Sequence, residues 1–396
     1  MINFELTNEI KSILTNIQSN KEDHSVAILE NYSLVDFLIA IIQIHYTEGI
    51  SSIEEIHKLI DMYNCHMNEM IQEVYISLDD DHPLNIMKRE NETFITALER
   101  MEEKLTIVAS KKDSSMLEED LKIIGALYAH YNRKEKLIFP ILERKQVYTL
   151  PRKIWALDDD NRATYHQFKN RLKRMDEIEF KHIRKSFDTL NKGMKQMILH
   201  EEDILIPLIQ ELFTAQEYEA IANESKAFGY AVDVKSVWSD KEKVYQTKET
   251  ESEDKNQNIK IGGGYLSLKE AELILNNIPL ELTFVDKNGL FKYFNEITES
   301  ADMMFIRTPI SIGRSVANCH PPKSLKKMMQ VMRKLKNREQ ETVTMWFKKG
   351  EEYIYVTYKG VFDEKGEYQG ILEYVQDIQP FLDLPSVVKR DIQKGC

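Results

Sequence analysis

Between residue 4 and about 230, apolar residues recur every three or four positions, the spacing of a helix with one buried face. Glycine is almost absent from this stretch (Gly49, Gly125, Gly193, Gly229). Ser33 is placed to cap a helix running through Leu34, Leu38, Ile41 and Ile42 and stopping near Gly49. Ser52 with Glu55 makes a capping box for the next helix, whose buried face is Ile53, Ile56, Leu59, Ile60 and Tyr63. A further helix should start at Pro83. Ser115 with Glu118 reads as a second capping box, opening a long helix through His130 towards Arg144. Other helices are expected over 158–176, 178–200 and 215–226. Residues 239–260 are charged and nearly free of apolar groups, too poor in burial to fold, and read as a linker extended by Gly262-Gly263-Gly264.

After residue 266 the period changes. One helix (Ser267 to Asn276) leads into alternating stretches: Glu281–Asp286 and Leu290–Asn295 joined by a Lys287-Asn288-Gly289 turn, then Glu341–Lys348, Tyr353–Phe362 and Tyr368–Asp377. The expected fold class is multidomain: all-α first, then α+β with an antiparallel sheet.

Composition narrows the function. The 396 residues carry 53 Lys+Arg against 65 Asp+Glu, a formal charge of -12, which disfavours nucleic acid as a partner. Cys65, Cys319 and Cys396 are far apart, which argues against a disulfide framework and fits a reducing cytoplasm. The longest apolar run, Phe37 to Ile42, is far short of the roughly 20 residues that span a bilayer, so no membrane span is expected.

The candidate chemistry lies in an internal echo. Lys134–Glu143 (KEKLIFPILE) and Glu201–Gln210 (EEDILIPLIQ) are offset by 67 residues, pairing Glu135 with Glu202 and Pro140 with Pro207. His130 and His200 lie just upstream, His82 opens an earlier helix, and His166 sits between the repeats. Histidines and carboxylates on facing helices are how bundles build di-iron sites, and that donor mixture suits iron or manganese. The same side chains also have plain readings: His82 as a helix cap, and His166, His200 and the glutamates as surface groups.

The segment from His82-Pro83 through HYNRKEKLIFP (130–140) to HEEDILIP (200–207) resembles a hemerythrin-like (HHE cation-binding) domain. With HPLNIMKREN (82–91), Trp155-x-x-Asp158-Asp159 and GRSVANCHPPKS (313–324), the chain is similar to a bacterial family. In that family a helical domain of unknown function (number 438) precedes a hemerythrin-like domain and a PAS domain. The resemblance implies a helical domain over 1–75, a four-helix bundle over 76–232, a charged linker over 233–266, a PAS domain over 267–386 and a tail over 387–396. It also implies a non-haem iron centre, with His82, His130, Glu135, His166, His200 and Glu202 as candidate ligands; haem on one of the histidines is the alternative. Two departures stand out. Typical domains of this kind set histidine and carboxylate four apart, but His130 and Glu135 are five apart, about 140° around an α-helix. The residue of the second repeat matching His130 is Met197.

ILNNIPLELTFVDKNGLFKYFN and GEYQGILEYVQDI resemble the first and last parts of a PAS domain, which implies a small-ligand pocket or a homodimer contact. His320, just before a helix rich in lysine, is the candidate haem ligand there. The Lys323–Arg338 stretch carries seven basic residues and no acid, a face suited to an acidic protein partner. No phosphate-binding loop, G-x-S-x-G elbow or kinase signature appears. The expected function is a cytoplasmic sensor in which an iron-binding bundle answers oxygen, nitric oxide or redox state and acts on a PAS domain. An iron enzyme or iron donor in oxidative or nitrosative stress is the second reading, less expected than sensing. A bundle that has lost its metal and works only through protein contacts is the third.

Overall fold

The computed structural model describes residues 4–19, 28–29, 31–70, 79–239 and 259–384. The chain divides into two compact units. The first is helical. Helices α1 (Phe4–Gln18), α2 (Leu34–Ile42) and α3 (Ile53–Met70) precede α4 (Pro83–Lys111). Next come α5 (Glu118–Gly125), α6 (Leu127–Arg133), α7 (Phe139–Arg144) and α8 (Thr149–Lys173). The set closes with α9 (Phe180–Leu199), α10 (Ile206–Leu212) and α11 (Ala215–Ser225).

The capping chemistry follows the sequence at most ends. Ser33 Oγ accepts from the Asp36 N–H, and Gly49 ends its helix at φ 66°. Ser52 and Glu55 exchange both bonds of a capping box, as do Thr214 and Glu217 before α11. Ser115 forms no box with Glu118; its N–H bonds Asp113 instead, and a short 3₁₀ turn precedes α5.

The helix expected to run unbroken to Arg144 does not. Lys134–Ile138 is a π-helical turn between α6 and α7, and His200–Leu205 is another between α9 and α10. A third, Gln43–Glu48, continues α2. Such wide turns are frequent at functional sites. The first two each end just before a proline, Pro140 and Pro207, which lacks the N–H that a continuing helix would need.

The core of this unit is built from the periodic apolar positions, among them Phe37, Phe94, Phe139, Phe168 and Phe187, all buried. Phe37 stacks on Tyr63 with ring centroids 4.4 Å apart, and Phe168 meets Phe187 at 5.5 Å. Gly125 and Gly193 are packing glycines: a Cβ on either would collide with Tyr165 or Asn161 on α8.

The start of the expected linker lies against the bundle. Asp81 accepts bonds from the Ser236 N–H (2.9 Å) and hydroxyl (2.5 Å). Arg89 bonds the Asp233 carbonyl, and Trp238 meets His82 edge-on, centroids 4.7 Å apart. The rest of the linker, 240–258, and the tail, 387–396, lie outside the described residues.

Among the described residues the second unit opens with a hairpin, β1 (Ile259–Ile261) and β2 (Gly264–Leu266), in place of the flexible linker expected at the glycine run. Gly262 turns this hairpin at φ 57°. Helix α12 (Leu268–Asn277) follows, opened by a Ser267–Glu270 capping box. Then come β3 (Glu281–Asp286), β4 (Phe291–Phe294), α13 (Pro322–Lys336), β5 (Thr342–Lys349), β6 (Glu352–Phe362), β7 (Tyr368–Asp377) and α14 (Gln379–Leu382). The antiparallel sheet has strand order β4-β3-β7-β6-β5. Gly370 on β7 brings that strand against β3, where any Cβ would strike the Val285 carbonyl. Within this unit Arg307 bridges Glu281 (2.6 Å) and Glu373 (2.7 Å), all three largely buried. No helix among the described residues is long and apolar enough to cross a membrane.

Candidate functional site

The chemistry of the bundle is concentrated in a buried charge cluster drawn from several helical segments. Glu90 comes from α4, His130 and Arg133 from α6, Asp158 from α8, and Lys134 and Glu201 from the π turns before α7 and α10. Each of these two turns buries two successive polar side chains: Lys134 with Glu135, and His200 with Glu201.

His130 sits between two carboxylates. Its Nδ1 is 2.6 Å from Glu90 Oε2 and its Nε2 is 3.1 Å from Glu201 Oε2. An acceptor at each ring nitrogen demands a proton on each, so the ring is an imidazolium. Burial opposes that charge, but Glu201 and Glu90 outweigh it and raise the ring to about 9.

Lys134 is wholly buried. Its Nζ bonds Asp158 Oδ1 at 2.8 Å and also bonds Glu201 Oε1, with Met197 Sδ at 3.5 Å. The Tyr131 ring lies 4.4 Å from the same ammonium. Burial pushes Lys134 towards neutrality, and Asp158 and Glu201 more than reverse it, so the ammonium is retained. Glu201 is held ionised: burial raises it, and Lys134 and His130 pull it far below the usual carboxylate range. Asp158 moves the other way, pushed up by burial against the pull of Lys134 and with the charges of Glu135 and Glu201 adding to the rise. Its Oδ2 has no hydrogen-bond partner among the described residues.

Glu90 is shared. Oε2 accepts from His130 and from the Arg133 guanidinium, and Oε1 accepts from the Ala231 N–H at 2.8 Å. Arg133 also bonds the Gly229 carbonyl and lies 4.7 Å from the Tyr230 ring centroid. The segment that leaves α11 is thus tied to the cluster.

The six expected ligands do not meet. His82 caps α4, its Nδ1 accepting from the Leu84 N–H, and packs against Tyr218 and Trp238. Burial lowers it to about 4, so it is neutral. His166 is exposed on α8. His200 accepts a bond from Tyr46 Oη at Nδ1 (2.6 Å), and burial first, then His45 and Lys134, lower it to about 3. Glu202 is exposed and accepts from Asn91. Glu135 faces Arg162, 2.7 Å away. The angle of 140° assumed for His130 and Glu135 does not apply, because the backbone is π-helical from 134. The two side chains nevertheless point to different partners. In the second unit, His320 is half-buried with its Nδ1 2.9 Å from the Val316 carbonyl.

The residues that matter most and were missed in the sequence are Lys134, Asp158, Glu90 and Arg133. The signal was present: counting four from His130 in a typical histidine–carboxylate pair lands on Lys134, and four from Met197 lands on Glu201. Two positions that would supply ligands carry an ammonium and a thioether.

The comparisons fit this architecture. Residues 82–209 match the hemerythrin HHE cation binding domain, and residues 271–379 match a PAS domain. The chain therefore carries an HHE-type bundle followed by a PAS domain. A C-terminal domain from Streptococcus mutans, solved as a crystal structure, is 47% identical over 33% of this chain and 100% of its own, with a TM-score of 0.33. A sensory box sensor histidine kinase from Vibrio cholerae (14% identity; 28% of this chain, 90% of that one; TM-score 0.22) is also similar. So is the PAS domain of a Colwellia psychrerythraea protein (17%; 28% and 98%; TM-score 0.23). None of the curated proteins matches the chain.

The HHE domain is a cation-binding one, and that role needs a set of free donor groups. The donor set here does not fit a metal. Lys134 Nζ stands between Asp158 and Glu201, both nitrogens of His130 are engaged, and Glu135 is paired with Arg162. Among the described residues, no three His, Cys, Asp or Glu side chains are grouped to hold an ion.

Proposed function

We propose that this is a cytoplasmic regulatory protein and not an enzyme. Its PAS domain takes a small ligand or pairs with a second copy, and its helical part answers through contacts with protein. The order of helical, HHE and PAS parts is that of the bacterial domain-of-unknown-function 438 arrangement. The observation that carries the reading is the internal pairing of the bundle's charged groups: Glu90, Asp158 and Glu201 are each paired with His130, Arg133 or Lys134. Sensing of oxygen, nitric oxide or redox state by iron, and di-iron catalysis, both need a bound metal, and an ammonium stands between the carboxylates of Asp158 and Glu201.

The test uses the purified full chain. Native mass spectrometry and light scattering should find a small molecule or a second copy associated with it. Peroxide and nitric oxide consumption after incubation with Fe(II) should stay at background. Turnover that disappears in His130→Ala would overturn the proposal.

A further inference from the structure

We infer that Lys134 is a built-in cation standing in for the metal of an HHE bundle, and that it keeps a divalent-cation site among Glu90, His130, Asp158 and Glu201 closed. The inference goes beyond the regulatory reading and rests on the same cluster.

Three observations support it. First, position: Lys134 Nζ touches carboxylates from two different helical segments, as a bridging ion would, and its third neighbour is the thioether of Met197. Second, pairing: three acidic side chains (Glu90, Asp158, Glu201) are buried with three basic ones (His130, Arg133, Lys134). A protein interior tolerates such carboxylates only when they are paired, and each one named here has a cation at hydrogen-bond distance. Removing the ammonium would leave Asp158 and one oxygen of Glu201 without a counter-charge. Third, residual capacity: Asp158 Oδ2, wholly buried, has no hydrogen-bond partner among the described residues even with Lys134 present. One carboxylate oxygen remains available to a cation with more coordination positions than an ammonium has protons.

The arithmetic suggests the variant. Lys134→Glu changes the cluster by two charge units, the charge of one divalent ion. It also restores the spacing of four between His130 and a carboxylate. Lys134→Met keeps the length of the side chain and removes only the charge.

The experiment measures metal content of the full chain by elemental analysis after dialysis against Mn2+ and then against metal-free buffer, with thermal melts in Mn2+ and in chelator. Wild type should retain no stoichiometric ion and melt at the same temperature in both buffers. Lys134→Glu should retain a single Mn2+ per chain and melt higher in Mn2+ than in chelator. Lys134→Met should be destabilised in chelator and partly rescued by Mn2+. Stoichiometric metal in wild type would overturn the inference whether or not either variant folds. So would a folded Lys134→Glu chain that takes up no Mn2+. Metal content decides this inference, while bound ligand, pairing and turnover decide the regulatory reading, so the two can fail separately.

Discussion

The imidazolium of His130 makes stability depend on pH in a window where few other groups act. A free imidazole titrates at 6.5, and this one at about 9. That gap corresponds to about 3 kcal/mol of preference for the protonated ring in the folded chain. The sign follows from linkage. The folded ring binds its proton more tightly than the unfolded one, so its contribution is complete below pH 6.5. It declines as pH rises towards 9 and is gone above that. His82 and His200, lowered to about 4 and about 3, act in the opposite sense: they favour the fold above pH 6.5 and withdraw that support as pH falls below it. Urea unfolding followed by far-UV circular dichroism, at several pH values from 6.5 to 9.5, should show the helical transition weakening by about 3 kcal/mol in wild type. His130→Gln cannot titrate; it should start less stable and show a nearly flat profile over the same range. Equal slopes for the two chains would refute an imidazolium held between Glu90 and Glu201.

Three further substitutions probe the packing. Tyr46→Phe removes the donor to His200 Nδ1 and should cost about 1–3 kcal/mol in chemical denaturation, the range for a buried acceptor left unpaired. Arg307→Ala strips the counter-ion from Glu281 and Glu373 and should destabilise the PAS domain by about 3–5 kcal/mol, read by the loss of its β-sheet signal at lower denaturant. Gly193→Ala would press on Asn161 across the α8–α9 contact and should lower stability by about 1–3 kcal/mol, measured by thermal melting.

The fold was largely legible because burial periodicity and turn chemistry are local. The strands Glu281–Asp286 and Tyr368–Asp377 fall where alternation puts them, and the Asp286 side chain accepts from the Asn288 and Leu290 N–H groups to close the expected turn. Trp346 is exposed and its neighbour Phe347 packs inward, as alternation requires. The site was much less legible. A lysine in a helix reads as solvent-facing, and nothing local says that Lys134 will meet Asp158 and Glu201 from helices 24 and 67 residues away. The π turns were hidden for a similar reason: they change the angular period by less than periodicity over a short window can resolve. The histidines drew attention by type, yet three of the bundle's four candidates serve as a cap (His82), a surface group (His166) and an acceptor for Tyr46 (His200).

Glu90 has one oxygen on His130 and the other on the backbone of Ala231, which follows Gly229 and Tyr230 on the way out of the bundle towards the linker. A single carboxylate therefore belongs both to the core and to the exit of the chain. Linkage between the two is reciprocal. Anything that drew residues 229–239 away from the bundle would leave Glu90 with one partner fewer and alter the proton affinity of His130. Conversely, loss of the His130 proton would change the charge that Glu90 presents to that exit and so change its grip on it. Tension on the chain and protonation of an enclosed ring are thereby two readings of one equilibrium.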